Sequence, residues 1–487
     1  MTSTDQRLRI PAATVFSDGW RTAAGGTLEV TAPATGAVLT TAGRANPGDI
    51  DAAVRRAQVA QPAWAARPAP ERAAILRRAA HLLTEHRADV AGWLTREGGA
   101  VAAKAGFEID SALDELWAAS ALPTQPYGEL LATPAGAHSV ARRIPLGVVG
   151  VITPWNFPLI LALRAVAPAL ALGNAVVLKP DLNTPVAGGL VIARLFELAG
   201  LPAGVLHVLP GDADEGAALV DHPDVAMIAF TGSTAVGRVI GERAGRALKR
   251  TALELGGNNA LIVLEDADLD AAAAAGTFGA FFHQGQICMA AGRHIVVEAV
   301  ADEYLDRLAR RADKLRVGDP ADGDTDLGPL INRAQLDRVR RLVDASVAVG
   351  ATVRAGGSHD GLFYRPTVLA GVTTAMPVFA EEVFGPVAPV VVVRDEDEAV
   401  AVANDTPYGL VAAVQTGVPA RGAALADRLR TGIVHVNDQT IYDDAYVPFG
   451  GRGASGDGSR FGATHSQDEF TQWQWLTVRD SPPPYPF

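Results

Sequence analysis

The sequence predicts an α/β protein in which two doubly wound domains follow each other along the chain. The chain has 487 residues, of which 48% are hydrophobic, so it exceeds the usual size of one hydrophobic core and has ample material for two. Short runs rich in Val, Ile and Leu alternate with longer helical patterns, and these runs are apolar throughout. Such runs are typical of parallel strands that helices cover on both faces.

The elements follow in a consistent order. A helix is predicted from Glu71 to Glu97, where apolar residues keep helical spacing between Pro70 and the pair Gly98-Gly99. The next predicted strands are GVVGVI at 147–152, AVVLKP at 175–180, GVLHVL at 204–209, AMIAFTG at 226–232 and NNALIVL at 258–264. A second set begins after Glu254, with the Ala-rich helix DLDAAAAAGTFGAFF at 268–282 and the strands APVVVV at 388–393 and TGIVHVN at 431–437.

Two further segments do not belong to either set. The segment 127–143, YGELLATPAGAHSVARR, has no strong period, so a β-excursion and a plain surface loop both remain open. The segment 470–487 alternates like a strand and places Trp473 and Trp475 on one face. An exposed strand commonly finds a partner. We therefore expect a homo-oligomer, either a dimer or a tetramer.

Composition excludes several classes of partner. The formal charge of −12 is spread along the chain, which argues against nucleic acid and anionic membranes. The single cysteine, Cys288, excludes an internal disulfide and a multi-cysteine metal site, and we predict no metal. It fits a reducing compartment, so we expect a cytoplasmic protein. The first 20 residues show no secretory signal, and prolines interrupt the most apolar run, at 144–163.

A glycine-rich turn is the first candidate binding feature. In AMIAFTGSTAVGR an apolar strand leads into Gly232 and Ser233, and Gly237 lies in the first turn of a predicted helix. This arrangement suits a phosphate group at a helix N-terminus, although a plain tight connection is the alternative. Lys179 ends an upstream strand, where it either meets a ribose or phosphate or simply enters solvent.

Glu254 and Cys288 are the candidate catalytic residues. Glu254 lies between two leucines and next to two glycines, where desolvation raises a carboxyl pKa toward the range of a general base. A buried glutamate paired with an arginine is the competing interpretation. Cys288, in HQGQICMAAGR, is either a small buried hydrophobe or a nucleophile.

The sequence motifs, taken in order, resemble those of the large NAD(P)-dependent aldehyde dehydrogenase superfamily over nearly the whole chain. The matching motifs are PWNFP at 154–158, LKP at 178–180, FTGSTAVG at 230–237, LELGGNN at 253–259, GQIC at 285–288, EEVFGP at 381–386 and PFGGRGASG at 448–456. The resemblance implies two Rossmann-like domains and a small β oligomerisation arm. It implies a dinucleotide-binding domain at 1–126 and 144–254, a catalytic domain at 255–448, and an arm and tail at 127–143 and 465–487.

The resemblance also implies the chemistry. Cys288 is expected to attack the aldehyde as nucleophile, and Asn156 to supply an oxyanion hole together with the backbone N–H of Cys288. Hydride then passes to the nicotinamide and leaves a thioester, which water activated by Glu254 hydrolyses to a carboxylic acid. The expected cofactor-binding residues are Trp155, Lys179, Gly232, Ser233, Glu382 and Phe384.

Three stretches, VVLKPDLNTPVAGG, HQGQICMAAGRH and the terminal FTQWQWLTVRDSPPPYPF, resemble the benzaldehyde dehydrogenase group, which implies an aromatic aldehyde as substrate. By similarity the aldehyde pocket is lined by Phe157, Ile160, Leu161, Arg164, Phe282, Ile287, Met289 and Phe449, most of which are apolar. Arg164 either meets a substrate carboxylate, which makes succinate semialdehyde the alternative substrate, or pairs with a carboxylate of the protein. His283 is expected to be a neutral, hydrogen-bonded structural residue.

The cofactor is expected to be NAD, with NADP also compatible. Many NAD-preferring members have a glutamate three residues after the lysine, where this chain has Leu182, so the group that repels a 2′-phosphate is missing. Asp181 is close enough to replace it. Two rival functions remain: a dehydrogenase that acylates coenzyme A, which Glu254 argues against, and a protein without activity, which Cys288, Glu254 and Asn156 together argue against.

Overall fold

A computed structural model describes residues 8–133 and 137–487. Residues 1–7 of the predicted first domain and residues 134–136 of the predicted arm lie outside this part. The described chain contains two seven-stranded sheets flanked by helices and three smaller sheets. The predicted α/β class with two doubly wound sheets is confirmed. No helix in the described ranges is long and apolar enough to cross a membrane.

The helices are α1 (Pro47–Ala65), α2 (Ala69–Glu85), α3 (Arg87–Gly98), α4 (Ala102–Ala121), α5 (Pro158–Ala171), α6 (Val191–Leu198), α7 (Ala213–Asp221), α8 (Thr234–Arg246), α9 (Leu269–Phe281), α10 (Glu298–Lys314), α11 (Arg333–Ala348), α12 (Pro377–Ala380), α13 (Glu396–Asn404), α14 (Pro419–Ala426) and α15 (His465–Phe470). The strands are β1 (Val15–Ser17), β2 (Trp20–Arg21), β3 (Thr27–Thr31), β4 (Val38–Gly43), β5 (Gly128–Leu131), β6 (Ala137–Pro145), β7 (Val148–Ile152), β8 (Ala175–Lys179), β9 (Leu206–Val208), β10 (Val225–Thr231), β11 (Arg250–Glu254), β12 (Ala260–Val263), β13 (Arg293–Val297), β14 (Thr352–Ala355), β15 (His359–Asp360), β16 (Phe363–Tyr364), β17 (Thr367–Ala370), β18 (Val387–Val393), β19 (Val411–Gln415), β20 (Ile433–Val436) and β21 (Thr471–Arg479).

The first large sheet has the strand order β11-β10-β7-β8-β9-β1-β2. Strands β7 to β11 run parallel, while β1 and β2 are antiparallel at one edge. The register places Ile152 beside Lys179 and Thr231 beside Glu254. Since parallel strands end at the same edge, the segments that follow β7, β8, β10 and β11 meet there.

The second large sheet has the order β14-β17-β18-β13-β12-β19-β20, and only β14 is antiparallel. In β12, β13, β18 and β19 nearly every residue is buried, as expected for strands covered on both faces. Cys288 lies in the loop that leads from α9 into β13. It is therefore at the edge of the sheet where the parallel strands begin.

The third unit is an antiparallel sheet of β5, β6 and β21. The register of β6 and β21 runs from Pro145 opposite Thr471 to Ala137 opposite Arg479. Of the two alternatives for segment 127–143, the β-excursion is therefore the one that forms. From residue 472 to 479 every residue of β21 is exposed.

The single helix predicted from Glu71 to Glu97 is wrong in its extent. The chain forms two helices, α2 and α3, which are separated at His86 (φ −99°, ψ 18°). The His86 N–H still bonds back to Leu82, and the second helix then starts in a new direction. Both helices bury apolar faces, so the apolar spacing continues across the break and conceals it.

Candidate active site

A cleft of about 410 Å³ lies where the carboxyl edge of the first large sheet faces the loop that carries Cys288. Several residues singled out from the sequence line this cleft: Trp155, Asn156, Leu161, Gly232, Ser233, Cys288, Glu382 and Phe384. The cleft is also lined by residues that the sequence did not reveal, among them Gln335, Arg338 and Tyr408. The fold therefore brings together segments that are far apart along the chain.

The loop before Cys288 has an unusual backbone. His283, Gln284 and Gly285 have φ values of 49°, 57° and 64°, which lie in the left-handed region. Two of the three are not glycine, and such conformations cost about 1–3 kcal/mol each unless the surroundings enforce them. Gln284 Nε2 donates to Pro329 O at 2.7 Å, and Gln286 Oε1 accepts from the Ile331 N–H at 3.0 Å. Buried glutamines thus hold this loop in place.

Asn259 holds the loop on the other side of the thiol. Its Nδ2 donates to the carbonyl oxygens of Cys288 and Ala290, both at 2.8 Å. Its Oδ1 accepts from the Val411 N–H at 3.2 Å. The backbone of Cys288 is therefore fixed from a strand of the second sheet, a role that the LELGGNN motif did not reveal.

Asn156 is 3% exposed and lies in the loop between β7 and α5. Its Nδ2 donates to Gln286 O at 2.8 Å, two residues before Cys288. An amide carries two N–H donors, so one orients the side chain and the other is available to a second acceptor in the cleft. Asn156 and Cys288 lie together in the cleft, as an oxyanion hole requires.

Glu254, at the end of β11, is 4% exposed. In the described chain neither of its carboxylate oxygens has a hydrogen-bond partner. Burial raises its pKa well above the ordinary value of 4.5, and the charges of Arg164 and Arg460 offset only part of this effect. The alternative of a glutamate paired with an arginine is not what the structure contains, and a carboxylate of raised pKa is suited to accept a proton.

The Cys288 thiol is largely buried. Burial raises its pKa to about 12, and the carboxylates of Glu382 and Glu254 act in the same direction. The thiol is therefore protonated at neutral pH in the protein alone. A base, or a positive charge brought by a ligand, is needed to form the thiolate.

The other end of the cleft has the groups that a dinucleotide requires. Ser233 caps α8 by accepting from the Val236 N–H, and the N–H groups of the first helical residues, Thr234 and Ala235, lie at the cleft. These N–H groups have no partner within the helix, so they suit a pyrophosphate. Trp155 packs edge to face on Phe384 at 5.5 Å between ring centroids.

Glu382 presents a carboxylate to the same cleft. Its Oε1 accepts from the Gly257 N–H at 3.0 Å, and burial raises its pKa to about 7. A Cβ at position 256 would lie 2.4 Å from Glu382 Oε2, so Gly256 permits this close approach. Together with the α8 terminus, this carboxylate fits the ribose and phosphates of NAD(P).

Lys179 is not among the residues that line the cleft in the described chain. It is 8% exposed, and its Nζ donates to Gly211 O at 2.8 Å. The alternative that it enters solvent is thus excluded. Asp181 accepts from the backbone and side chain of Asn183, at 2.8 and 2.7 Å, so its carboxylate is already engaged beside Leu182.

The residues predicted for the aldehyde pocket share one hydrophobic cluster. Cys288 packs against this cluster, which includes the predicted residues Phe157, Ile160, Leu161, Phe282, Ile287, Met289 and Phe449. Phe107, on α4, contacts two of them edge to face, at 6.3 Å from Phe157 and 6.2 Å from Phe282. Phe107 is an aromatic neighbour that no motif revealed.

Arg164 is 4% exposed and is bound by two carboxylates of the protein. Its Nε donates to Glu115 Oε1 at 2.9 Å, and its second nitrogen binds Asp443. Its guanidinium also lies over the Phe449 ring at 4.4 Å. Of the two alternatives, the structure favours pairing with protein carboxylates over a free anchor for a substrate carboxylate.

His283 is 1% exposed, and burial lowers its pKa well below 6.5, with the charge of Lys104 acting in the same direction. The imidazole is therefore neutral, as expected. In the part of the chain that the structure describes, neither ring nitrogen has a hydrogen-bond partner, so the expected hydrogen bond of His283 is wrong. The ring instead packs edge to face on Phe157 at 5.4 Å.

A buried ion pair on α4 supports the Asn156 loop. Lys104 Nζ pairs with Glu108 and donates to Asn156 O at 2.8 Å. Glu108 Oε1 accepts from the Leu159 N–H at 2.8 Å in the first turn of α5. The i, i+4 spacing of the pair was visible in the sequence, but it equally fits a pair on a solvent-exposed helix face.

Comparisons with known proteins identify the family. The sequence profile of the aldehyde dehydrogenase family matches residues 20–476. The chain is 54% identical to a vanillin dehydrogenase from Amycolatopsis over 474 residues, which cover 97% of this chain and 98% of that protein. It is 51% identical to benzaldehyde dehydrogenase [NAD(+)] from Pseudomonas putida over 474 residues, which cover 97% of each. The structure is similar to that of betaine aldehyde dehydrogenase from Staphylococcus aureus in complex with NAD+, with a TM-score of 0.94, 31% identity and coverage of 98% and 97%.

Proposed function

The chain belongs to the aldehyde dehydrogenase family, and on that basis we propose that it oxidises an aromatic aldehyde to the carboxylic acid with NAD. The observation that carries the proposal is Glu254, a buried carboxylate that has no hydrogen-bond partner among the described residues and whose charge contributes to the raised pKa of the Cys288 thiol. The cleft that holds the thiol also holds Asn156. A nucleophile, a base and an oxyanion donor thus occur together.

In the first step the Cys288 thiol loses its proton to a base, either Glu254 or solvent, and the sulfur adds to the aldehyde carbon while the carbonyl oxygen gains negative charge. The free N–H of Asn156 and the backbone N–H of Cys288 stabilise that charge, because they are already oriented before it develops. NAD, when bound, accepts the hydride. The oxygen then reforms its double bond to carbon, and Cys288 is left as a thioester.

Glu254 accounts for the second step. Its carboxylate takes a proton from water, and the resulting hydroxide adds to the thioester carbon and displaces the Cys288 sulfur. The products are a carboxylic acid and the free cysteine. The alternative, transfer to coenzyme A, has no need of a base at this position, so Glu254 favours hydrolysis.

We assign the cofactor contacts to the residues predicted from the sequence. Gly232 and Ser233 lie beside the pyrophosphate, Glu382 binds the nicotinamide ribose, and Trp155 and Phe384 line the cleft. Lys179, at the end of β8, would contact the adenine ribose only if its Nζ moved from Gly211 O toward the cleft. Because Leu182 carries no charge, NADP is also compatible with the site.

The aromatic substrate is supported by the apolar and aromatic side chains around Cys288 and by the two relatives. These relatives are named for vanillin and benzaldehyde, both aromatic aldehydes. Succinate semialdehyde is the alternative, but it needs a free cation, and Arg164 is already bound by Glu115 and Asp443. Those two carboxylates outnumber the one guanidinium, which disfavours an anionic substrate.

The molecule is proposed to act as a cytoplasmic homo-oligomer that associates through the sheet of β5, β6 and β21. Trp473 and Trp475 are 50% and 74% exposed on this sheet, and Leu130 is 81% exposed. Large apolar side chains in such positions mark surfaces that other chains cover.

The test is a panel of benzaldehyde, para-methylbenzaldehyde, hexanal and succinate semialdehyde with NAD or NADP, followed by the absorbance of the reduced cofactor. We expect the highest kcat/KM for the aromatic aldehydes without coenzyme A. Cys288→Ala should abolish turnover and leave NAD binding intact. A preference for succinate semialdehyde, or an absolute requirement for coenzyme A, contradicts the proposal.

A further inference from the structure

One carboxylate oxygen near the aldehyde pocket is buried and unpartnered. The Asp443 side chain is 8% exposed, and its Oδ2 binds Arg164. In the described chain its Oδ1 has no hydrogen-bond partner. A buried acceptor in this state has lost water without gaining another donor, so a ligand that supplies a donor there gains affinity.

The position of Asp443 follows from the contacts of Arg164. The guanidinium binds Asp443 and also lies over the ring of Phe449, at 4.4 Å from the guanidinium carbon to the ring centroid. Phe449 belongs to the hydrophobic cluster against which Cys288 packs. Phe449 is also one of the residues assigned to the aldehyde pocket, so Asp443 lies one side chain away from that pocket, and its charge contributes to the raised pKa of the Cys288 thiol.

We propose that Asp443 Oδ1 accepts a hydrogen bond from a phenolic hydroxyl on the ring of the aromatic aldehyde. This inference rests on the proposed function and specifies its substrate class. A hydroxyl fits because it can donate to Oδ1, whereas an anionic substituent has no donor and is repelled by Asp443 and Glu115. The aromatic ring then lies among the apolar side chains between Asp443 and Cys288.

Asp443→Asn tests the inference with almost no change in size. The Arg164 guanidinium can only donate hydrogen bonds, so the oxygen of the new side-chain amide should face Arg164. The NH₂ group of that amide then takes the place of Oδ1. The comparison is between a hydroxybenzaldehyde and the methylbenzaldehyde substituted at the same ring position, either meta or para. At one of these positions the wild-type protein should have a kcat/KM that is about tenfold or more higher for the hydroxy compound. In the variant this preference should fall severalfold, because the amide NH₂ meets only the lone pairs of the phenol oxygen and leaves the phenol O–H without its charged acceptor. Assays at mildly acidic pH keep the phenol protonated.

Asp444→Asn is the matched control, because this neighbouring carboxylate accepts from the Tyr446 N–H at 2.8 Å. It should retain the wild-type preference. A second measurement does not depend on the variants: hydroxybenzamides should inhibit the wild-type protein more strongly than methylbenzamides.

The possible failures are distinguishable. If the wild-type protein oxidises methylbenzaldehydes and prefers neither hydroxy isomer, the inference is overturned and the proposed function stands. If it oxidises no aromatic aldehyde, both are overturned. Retention of the full preference in Asp443→Asn also overturns the inference.

Discussion

At the scale of single residues, Glu254 is a buried carboxylate next to Leu255 and Gly256, which line the cleft. A buried carboxylate without a hydrogen bond is costly to keep charged, and its pKa rises accordingly. A fold that needed only stability would place an apolar residue there. We propose that this carboxyl group serves through its proton affinity, as the base that activates water for hydrolysis of the thioester.

We expect kcat of the wild-type protein to increase with pH, because Glu254 acts as a base only when deprotonated and its pKa is raised. Glu254→Gln should lower kcat by about 10²–10⁴-fold and remove this pH dependence. The thioester should then accumulate, which mass spectrometry detects as an acyl group on Cys288. Unchanged turnover in the variant would show that another group activates the water.

The residues that carry chemistry were largely predictable, whereas their partners were not. Cys288, Glu254 and Asn156 each lie in a motif that the sequence displays. The roles of Asn259 and Gln284 depend on contacts with backbone groups that are distant along the chain. Arg164 left two alternatives open because its partners, Glu115 and Asp443, come from two separate segments.

At the scale of elements, the contact between α4 and α5 positions Asn156. Helix α5 is buried on nearly all sides, and the Glu108 carboxylate binds the N–H groups of its first turn. Lys104 completes the contact at the Asn156 carbonyl. A change in the Lys104–Glu108 pair therefore affects both the stability of the fold and the position of Asn156, the proposed oxyanion donor.

Lys104→Met should lower the free energy of unfolding by about 3–5 kcal/mol, because it leaves the Glu108 charge buried without its partner. Urea unfolding followed by circular dichroism measures this change. Arg87→Ala is the control, since its partner on α4, Asp110, is exposed and the pair contributes at most about 1 kcal/mol. Equal losses in the two variants would contradict the prediction.

Gly285→Ala should destabilise the loop before Cys288 and reduce activity. Residue 285 has a φ of 64°, and a Cβ there would lie 2.2 Å from Gly385 O. The loop must therefore shift, which displaces the thiol from Asn156. Gly245→Ala is the matched control: no atom lies within 4 Å of its Cβ position in α8, so stability should increase by about 1 kcal/mol. Thermal unfolding and kcat/KM measure both effects.

Sequence patterns predicted most helices and strands, but not every boundary. Central strands of the two large sheets, such as β7, β12 and β18, are continuous apolar runs, which parallel pairing explains. The break between α2 and α3 at His86 has no glycine or proline to mark it. The strands β5 and β6 lacked a visible period because their sheet lies outside both cores and buries few side chains.

At the scale of the whole molecule, the site forms only where the two large sheets meet. Asn156 and Glu254 come from the first sheet, and Cys288 comes from the loop before β13. The sequence predicted two domains in series, and the motifs placed the site residues on both. Their exact boundaries stay a prediction.

The exposed sheet of β5, β6 and β21 should control oligomeric state. Trp473→Lys combined with Trp475→Lys should lower the mass measured by light scattering toward that of one chain, because it places charges on the proposed interface. Val59→Lys changes an apolar side chain on α1 that is 83% exposed and should leave the mass unchanged. Identical masses for all three proteins would exclude this surface as the interface.

The pairing of β6 with β21 also has a consequence during synthesis on the ribosome. Arg142 and Gln474, hydrogen-bonded across these strands, lie 332 residues apart. At about 5–20 residues per second, β6 waits on the order of 20–60 seconds for its partner strand to be translated. During that interval its open edge is available to neighbouring nascent chains. Lower expression levels should therefore increase the yield of correctly assembled protein.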